Sequence, residues 1–377
     1  MMSSLRRAAR PCSLLLAFAL AGCLSAPDLE AVRVLQDIAA GPAASALKQM
    51  TPPPERSSLA FVVEGRRTVA DLYRPAEPVG APLVLVPGLS PDGKDDARLV
   101  ALAESLARAR FLVLVPDLEA ARQLKISLAD ARQIGDAAIH LAAMTAPDGF
   151  TGVGIAAVSY AVGPAMIAAL EPEVEPHVSF VLGLGGYYDS TAMLTYLTTG
   201  SYRVAGTSSW RQHRVDPGGV WVFVLSNLDR IESPADRRRL QEMAERRLNN
   251  PNAPIEDLAA RLGPEGRSIY ALLANRDPDR VPSLIAALPA GIRTDLEALS
   301  LRGRDLTSLT GRVILIHGEE DSVIPYTESE ALAKAIGKVE LFLVPGFSHV
   351  DSRPVGPEGQ RALIAAMRAL LDRRRLP

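Results

Sequence analysis

The sequence predicts an α/β protein: a mostly parallel sheet with helices on both faces and a helical insertion between its two halves. Three observations point there. Continuous apolar runs such as Leu83–Val86, Phe111–Val115 and Val153–Val158 alternate with helical patterns, as strands buried on both faces require. A long, mainly helical interval then separates these runs from a second set, Val313–His317 and Glu340–Val344. Finally, short polar segments follow several of the apolar runs directly, where an open sheet carries its chemistry.

Taken in order, residues 1–22 read as an export signal. Arg6, Arg7 and Arg10 precede an apolar stretch from Ser13 to Leu20, too short to span a bilayer as a mature helix. Loss of those three arginines takes the formal charge from −2 to −5, which argues against electrostatic adhesion to anionic lipid. The chain has two cysteines, Cys12 and Cys23, and the first lies inside the signal. The mature chain therefore has no disulfide and no thiol to spare for catalysis or soft metals.

Residues 23–58 carry a short helical pattern, Leu29, Val32, Leu35 and Ile38, and then Pro52-Pro53-Pro54. Three prolines favour a stiff, extended segment, so this stretch is expected as a tether. The core is expected over 59–185 and 304–377. Leu59–Val63 and Thr68–Tyr73 read as a hairpin, followed by the run Leu83–Val86. Helical patterns at Ala97–Ala109 and Ala129–Met144 flank the next two apolar runs. Pro164–Leu170 reads as helix and Val178–Leu184 as strand. After the interval come Val313–His317, a helix at Glu328–Ile336, Glu340–Val344 and a last helix at Glu358–Arg373.

The interval 186–303 far exceeds the roughly 2–6 residues of an ordinary αβ connection, and reads as a helical cap over the site. Ser233-Pro234-Ala235-Asp236 has the form of a capping box with proline at the first helical position. Val220–Leu225 is assigned to helix, because the sheet is complete without it. Arg237, Arg238, Arg239, Arg246 and Arg247 alternate with acids at helical spacing, the pattern of a solvated face. Tyr187, Tyr188, Tyr196 and Tyr202 fit either a pocket wall or ordinary packing.

Three segments carry candidate chemistry. Ser159 follows an apolar run and precedes a helix, with Ala157 and Ala161 two residues either side. A serine exposed on a very tight strand-to-helix turn needs such small neighbours. Asp321 lies in His317-Gly318-Glu319-Glu320-Asp321, after a second run; Asp189 is an alternative acid. His349 sits in Gly346-Phe347-Ser348-His349, after the last strand, on a loop suited to a general base. Glu319 and Glu320 read as solvated carboxylates, His317 as a brace for its turn, and His140, His177 and His213 as ordinary surface or core histidines. No metal-ligand cluster, dinucleotide glycine loop or phosphate loop is present, and no basic block suits nucleic acid.

Serine, acid and histidine in that chain order, each in its loop, resemble the α/β-hydrolase superfamily. His317-Gly318-x-x-Asp321-x-x-Ile324-Pro325 is similar to its acid loop, with isoleucine in place of valine; alanines replace the usual elbow glycines. The resemblance covers about residues 59–377. It implies an α/β-hydrolase sheet and a cofactor-free, metal-free hydrolase of carboxylic esters or related acyl bonds. Ser159 would be the nucleophile, His349 the base and Asp321 the acid orienting it. The N–H groups of Leu89 and Tyr160 would form the oxyanion hole, although Pro87-Gly88 replaces the common His-Gly before Leu89. Thioesterase, lactonase or peptidase activity, or a non-catalytic binding protein, are the alternatives. Leu20-Ala21-Gly22-Cys23 resembles a bacterial lipoprotein signal, implying lipidation of Cys23 and a membrane-anchored exported protein. Leu24 after it slightly favours the outer membrane.

Overall fold

The computed structural model describes residues 25–349 and 355–374; the signal segment and Cys23 lie outside them. Ten strands occur among the described residues: β1 Glu55–Val63, β2 Arg66–Arg74, β3 Ala81–Val86, β4 Phe111–Pro116, β5 Val153–Val158, β6 Val178–Leu184, β7 Ser201–Tyr202, β8 Arg211–Gln212, β9 Val313–Gly318 and β10 Glu340–Val344. Eight of them form one sheet in the order β1-β2-β4-β3-β5-β6-β9-β10. β2 runs antiparallel to both neighbours, and every pairing from β4 to β10 is parallel. β3 and β4 are buried along their whole length, because helices cover both faces.

One face packs on the helices Ala129–Thr145 and Val162–Leu170, with Ile134, Leu141, Met166 and Ile155 at the centre. The other face packs on Ala97–Arg108 and Pro357–Leu371, through Leu99, Leu106, Ile364 and Leu370. The hairpin β1–β2 is longer at its start than the expected Leu59–Val63, since it begins directly after Pro54.

The tether expected at 23–58 is not what residues 25–50 form. Ser25 caps a helix, Ala26–Ala40, with a reciprocal Ser25–Asp28 capping box. Ala31, Val32 and Val34 of that helix are buried in the same apolar cluster as Leu370. Arg368 donates to Asp28 at 2.9 Å, and Arg374 to Glu30 at 2.7 Å. The buried Asp37 accepts from Lys48 Nζ at 2.6 Å, from Ser105 Oγ at 2.7 Å and from Ser45. The apolar stripe read as a tether helix thus belongs to the core, against the last helix of the chain.

The interval between β6 and β9 is mainly helical. It contains Ser190–Thr199, Gly219–Ser226, Pro234–Asn249, Pro264–Ala274, Val281–Ala286 and Ala290–Leu299, with the short β7–β8 ribbon between the first two. These helices share an apolar cluster of their own, including Trp221, Leu240, Met243, Leu272 and Ile292. The expected capping box is divided between two acids. Ser233 Oγ accepts from Asp236 N–H at 3.3 Å, but Glu265 takes the Ser233 N–H at 2.8 Å. Asp236 instead accepts from Gly263 and Gly266 N–H, at 2.6 and 3.0 Å, joining two cap helices.

Burial pushes the Asp37 carboxyl up, but its bonds from Lys48, Ser45 and Ser105 outweigh that and hold it below the usual carboxylate range. A depressed carboxyl stabilises the fold above its unfolded pKa, and this contribution is lost as pH falls through the folded value. Asp37→Ala should lower the unfolding free energy by about 2–3 kcal/mol, read by urea denaturation. A tether residue would show no change.

Candidate active site

Ser159 sits at the C-terminal end of β5, where the chain turns into the helix Val162–Leu170. Its φ is +56°, a left-handed conformation uncommon for a residue with a side chain. That turn swings Oγ off the end of the sheet. Ala157 and Ala161 are both buried, and larger side chains there would collide with the packed strand and helix. The β3–β4 side closes on the turn through Gly88: a Cβ on Gly88 would lie 3.4 Å from Ser159 Cβ and 3.3 Å from the Val158 carbonyl oxygen.

His349 bridges the serine and the acid. Its Nε2 is 2.7 Å from Ser159 Oγ, and its Nδ1 is 2.6 Å from Asp321 Oδ2. The carboxylate needs a donor, so Nδ1 carries a proton and Nε2 faces the serine as acceptor. Asp321 is buried, and Oδ1 accepts from Val323 and Ile324 N–H at 2.7 and 2.9 Å. Burial pushes its carboxyl up, but hydrogen bonds from His317 and His349 outweigh that and hold it below the ordinary range. His317 Nε2 is 3.0 Å from the Ile324 carbonyl oxygen and 3.3 Å from Asp321 Oδ2. A carbonyl only accepts, so Nε2 is protonated and braces the acid loop. Ser329 Oγ fixes the other ring nitrogen at 2.7 Å.

Asp189, the alternative acid, is occupied elsewhere. Its carboxylate caps the helix Ser190–Thr199 through Thr191 N–H and pairs with Arg302 at 2.7 Å. Leu89 and Tyr160 both line the cavity in front of Ser159. That cavity has a volume of about 530 Å³, within the range of small-molecule sites. Its cap side is mainly apolar, lined by Met193, Leu197, Val222, Phe223, Leu248 and Leu296, with Ser190 and Asp216 its polar members. Tyr187 joins this wall, whereas Tyr196 turns inward, its hydroxyl donating to the Asp321 carbonyl oxygen at 2.6 Å. Among the described residues, no group of three His, Cys, Asp or Glu side chains is placed to hold a metal ion.

A scan against protein-family models gives no match, and no curated protein matches the sequence. Solved structures do match. A candidate hydrolase from Legionella pneumophila superposes with a TM-score of 0.52 at 11% identity, over 84% of this chain and 87% of that one. The chain has the α/β-hydrolase fold. An acylaminoacyl peptidase from Pyrococcus horikoshii aligns with 86% of the chain at 10% identity and a TM-score of 0.46; the chain spans 42% of that protein's length. A serine hydrolase from Cycloclasticus zankles aligns over 84% of this chain and 98% of its own, at 12% identity and a TM-score of 0.45.

In this α/β-hydrolase scaffold two supporting residues escaped the sequence reading. Glu320, read as a solvated carboxylate, accepts from Gly346 N–H at 2.6 Å and so ties the acid loop to the loop bearing His349. Gly185, just beyond β6, has φ +62°, a left-handed backbone that favours glycine, and it lies directly beside the pair: a Cβ there would stand 3.4 Å from His349 Nδ1 and 3.5 Å from Asp321 Oδ2. The paired Gly185-Gly186 after an apolar strand was the available signal for it.

Below Tyr160 lies a buried acid, Asp130, whose Oδ2 is 3.1 Å from the Tyr160 hydroxyl and whose Oδ1 has no partner among the described residues. The same hydroxyl accepts from Ser127 N–H at 2.7 Å. Burial pushes the Asp130 carboxyl up to about 7, against a lowering by Tyr160. Between the unfolded value near 4 and about 7, the folded chain holds a proton that the unfolded chain releases. Stability therefore falls as pH rises through that window, by about 1.4 kcal/mol per unit at most. Asp130→Asn should remove this slope, gaining stability over the unsubstituted protein at pH 8 but not at pH 4. Chemical denaturation across pH checks it, and parallel profiles for the two proteins would refute it.

Proposed function

We propose that the chain is a serine hydrolase that cleaves carboxylic esters or related acyl bonds through an acyl-enzyme. The observation that carries this reading is the unbroken hydrogen-bonded series Ser159–His349–Asp321, standing at the floor of an apolar cavity. His349 Nε2 accepts the Ser159 proton as Oγ adds to the substrate carbonyl carbon. Buried and ionised, Asp321 stabilises the imidazolium that forms. The tetrahedral oxyanion is held by the main-chain N–H groups of Leu89 and Tyr160, each such donor worth about 3–4 kcal/mol. Collapse expels the alcohol, which takes the proton from His349. Water then repeats the sequence to release the acid and restore Ser159.

The cap wall supports an apolar acyl or alcohol group, since burial of each methylene contributes about 0.8 kcal/mol. Ser159→Ala should abolish labelling by a fluorophosphonate probe without changing the melting temperature. Asp321→Asn should lower kcat by about 10⁴, through loss of the correct histidine tautomer. Turnover is to be compared on ester, thioester, lactone and amide substrates of matched acyl chain. A folded protein that neither labels nor turns over any of them is a binding protein, which would end this reading. Preference for thioester, lactone or amide would move it to the corresponding class.

The same proposal places the protein on a membrane, through acyl chains on Cys23 after removal of residues 1–22, with the outer membrane favoured. Several acyl chains on one residue exceed what stable anchoring needs. Because Ser25 already caps a helix packed on the core, such an anchor would hold the domain close against the lipid. Cys23→Ser should move the exported protein from the detergent phase to the aqueous phase in a two-phase partition. Unchanged partition would remove the anchor.

A further inference from the structure

A second cavity, of about 540 Å³, lies inside the cap and is separate in chemistry from the one in front of Ser159. Three arginines line it: Arg214, Arg247 and Arg276. Asp216 is its one carboxylate, and that side chain accepts the Gly218 N–H at 2.6 Å.

Some cap arginines meet acids: Arg203 pairs with Asp279, Arg230 with Asp295, and Arg246 with Glu242 and Asp257. The three cavity arginines have no carboxylate partner among the described residues. Arg276 is pinned in place, its Nη1 donating to the carbonyl oxygens of Thr198, Leu273 and Asn275 at 3.0, 2.9 and 2.7 Å. Arg247 donates Nη1 to the Pro251 carbonyl oxygen at 2.5 Å, while its Nε is buried with no acceptor. Arg214 is exposed at the rim and free of any protein partner among the described residues. The remaining wall is mixed: His213, Thr198 and Thr199 stand beside Val220, Trp221, Tyr270 and Leu273.

We propose that this cap cavity binds an amphiphilic anion, a carboxylate or phosphate group carried on an aromatic or aliphatic body. The guanidinium groups take the charged oxygens, and Trp221 and Tyr270 cover the apolar part. The site stands apart from the hydrolytic reading, because it needs none of Ser159, His349 or Asp321.

Phenyl phosphate is the probe, titrated calorimetrically into the full chain, with phenol as its uncharged counterpart. Saturable binding of phenyl phosphate, much stronger than that of phenol, is expected. Arg214→Glu and Arg247→Gln should each weaken it by about tenfold, the loss of one charge-assisted hydrogen bond. Arg98→Gln, at the wall of the cavity before Ser159, should leave it unchanged. Arg214 is exposed, so its variant remains informative if Arg247→Gln does not fold. Absence of saturation, equal affinity for phenol, or weakening by Arg98→Gln but not by Arg214→Glu would overturn the site.

Discussion

A single imidazole has to meet two partners that arrive from different strands, and most of the architecture around it follows from that requirement. Ser159 comes from the end of β5, Asp321 from the loop after β9 and His349 from the loop after β10. β5 and β9 are separated by β6, so the three loops emerge side by side along the same edge of the sheet. Parallel pairing is what places all three C-terminal strand ends on one side. An antiparallel β9 or β10 would have sent one of these groups to the opposite rim.

Strand order alone would leave the contacts loose by an ångström or more. The finer placement comes from a small set of backbone constraints. The left-handed φ of Ser159 lifts its side chain clear of the helix that follows. Gly185 takes the left-handed turn beside the histidine–carboxylate pair. Val323 and Ile324 N–H groups, with His317, hold the carboxylate, and Glu320 ties its loop to the next. The Tyr196 hydroxyl links the first cap helix to the Asp321 carbonyl oxygen. The cap is therefore bonded to the acid loop as well as covering the cavity.

The cap combines two environments that differ in charge. Its face toward Ser159 is mainly apolar, while its interior cavity carries three arginines with no carboxylate partner among the described residues. Both share Leu197 and Asp216 as wall residues, so one helical insertion lines both cavities. Asp130 and its orphaned oxygen lie under the opposite wall, beneath Tyr160.

The order of strands and helices was legible in the sequence by itself, since strand and helix periods are local and repeat within a few residues. β5, β6 and β10 begin and end where their apolar runs do, and Val220–Leu225 is helical as its setting suggested. Short motifs also singled out Ser159, Asp321 and His349, because a tight turn, an acid loop and a mobile base each demand recognisable neighbours. Other features depended on partners that the local pattern does not name. The stripe at Leu29–Ile38 announces a helix but cannot say that the last helix of the chain will cover it. Asp189 stays open as an alternative acid until Arg302 and the Thr191 N–H take it up. Arg247 reads as part of a solvated face until the folded cap buries its Nε away from every acid. Periodicity reports what a segment does with its own backbone; which side chains lose water, and to whom, is decided when distant segments meet.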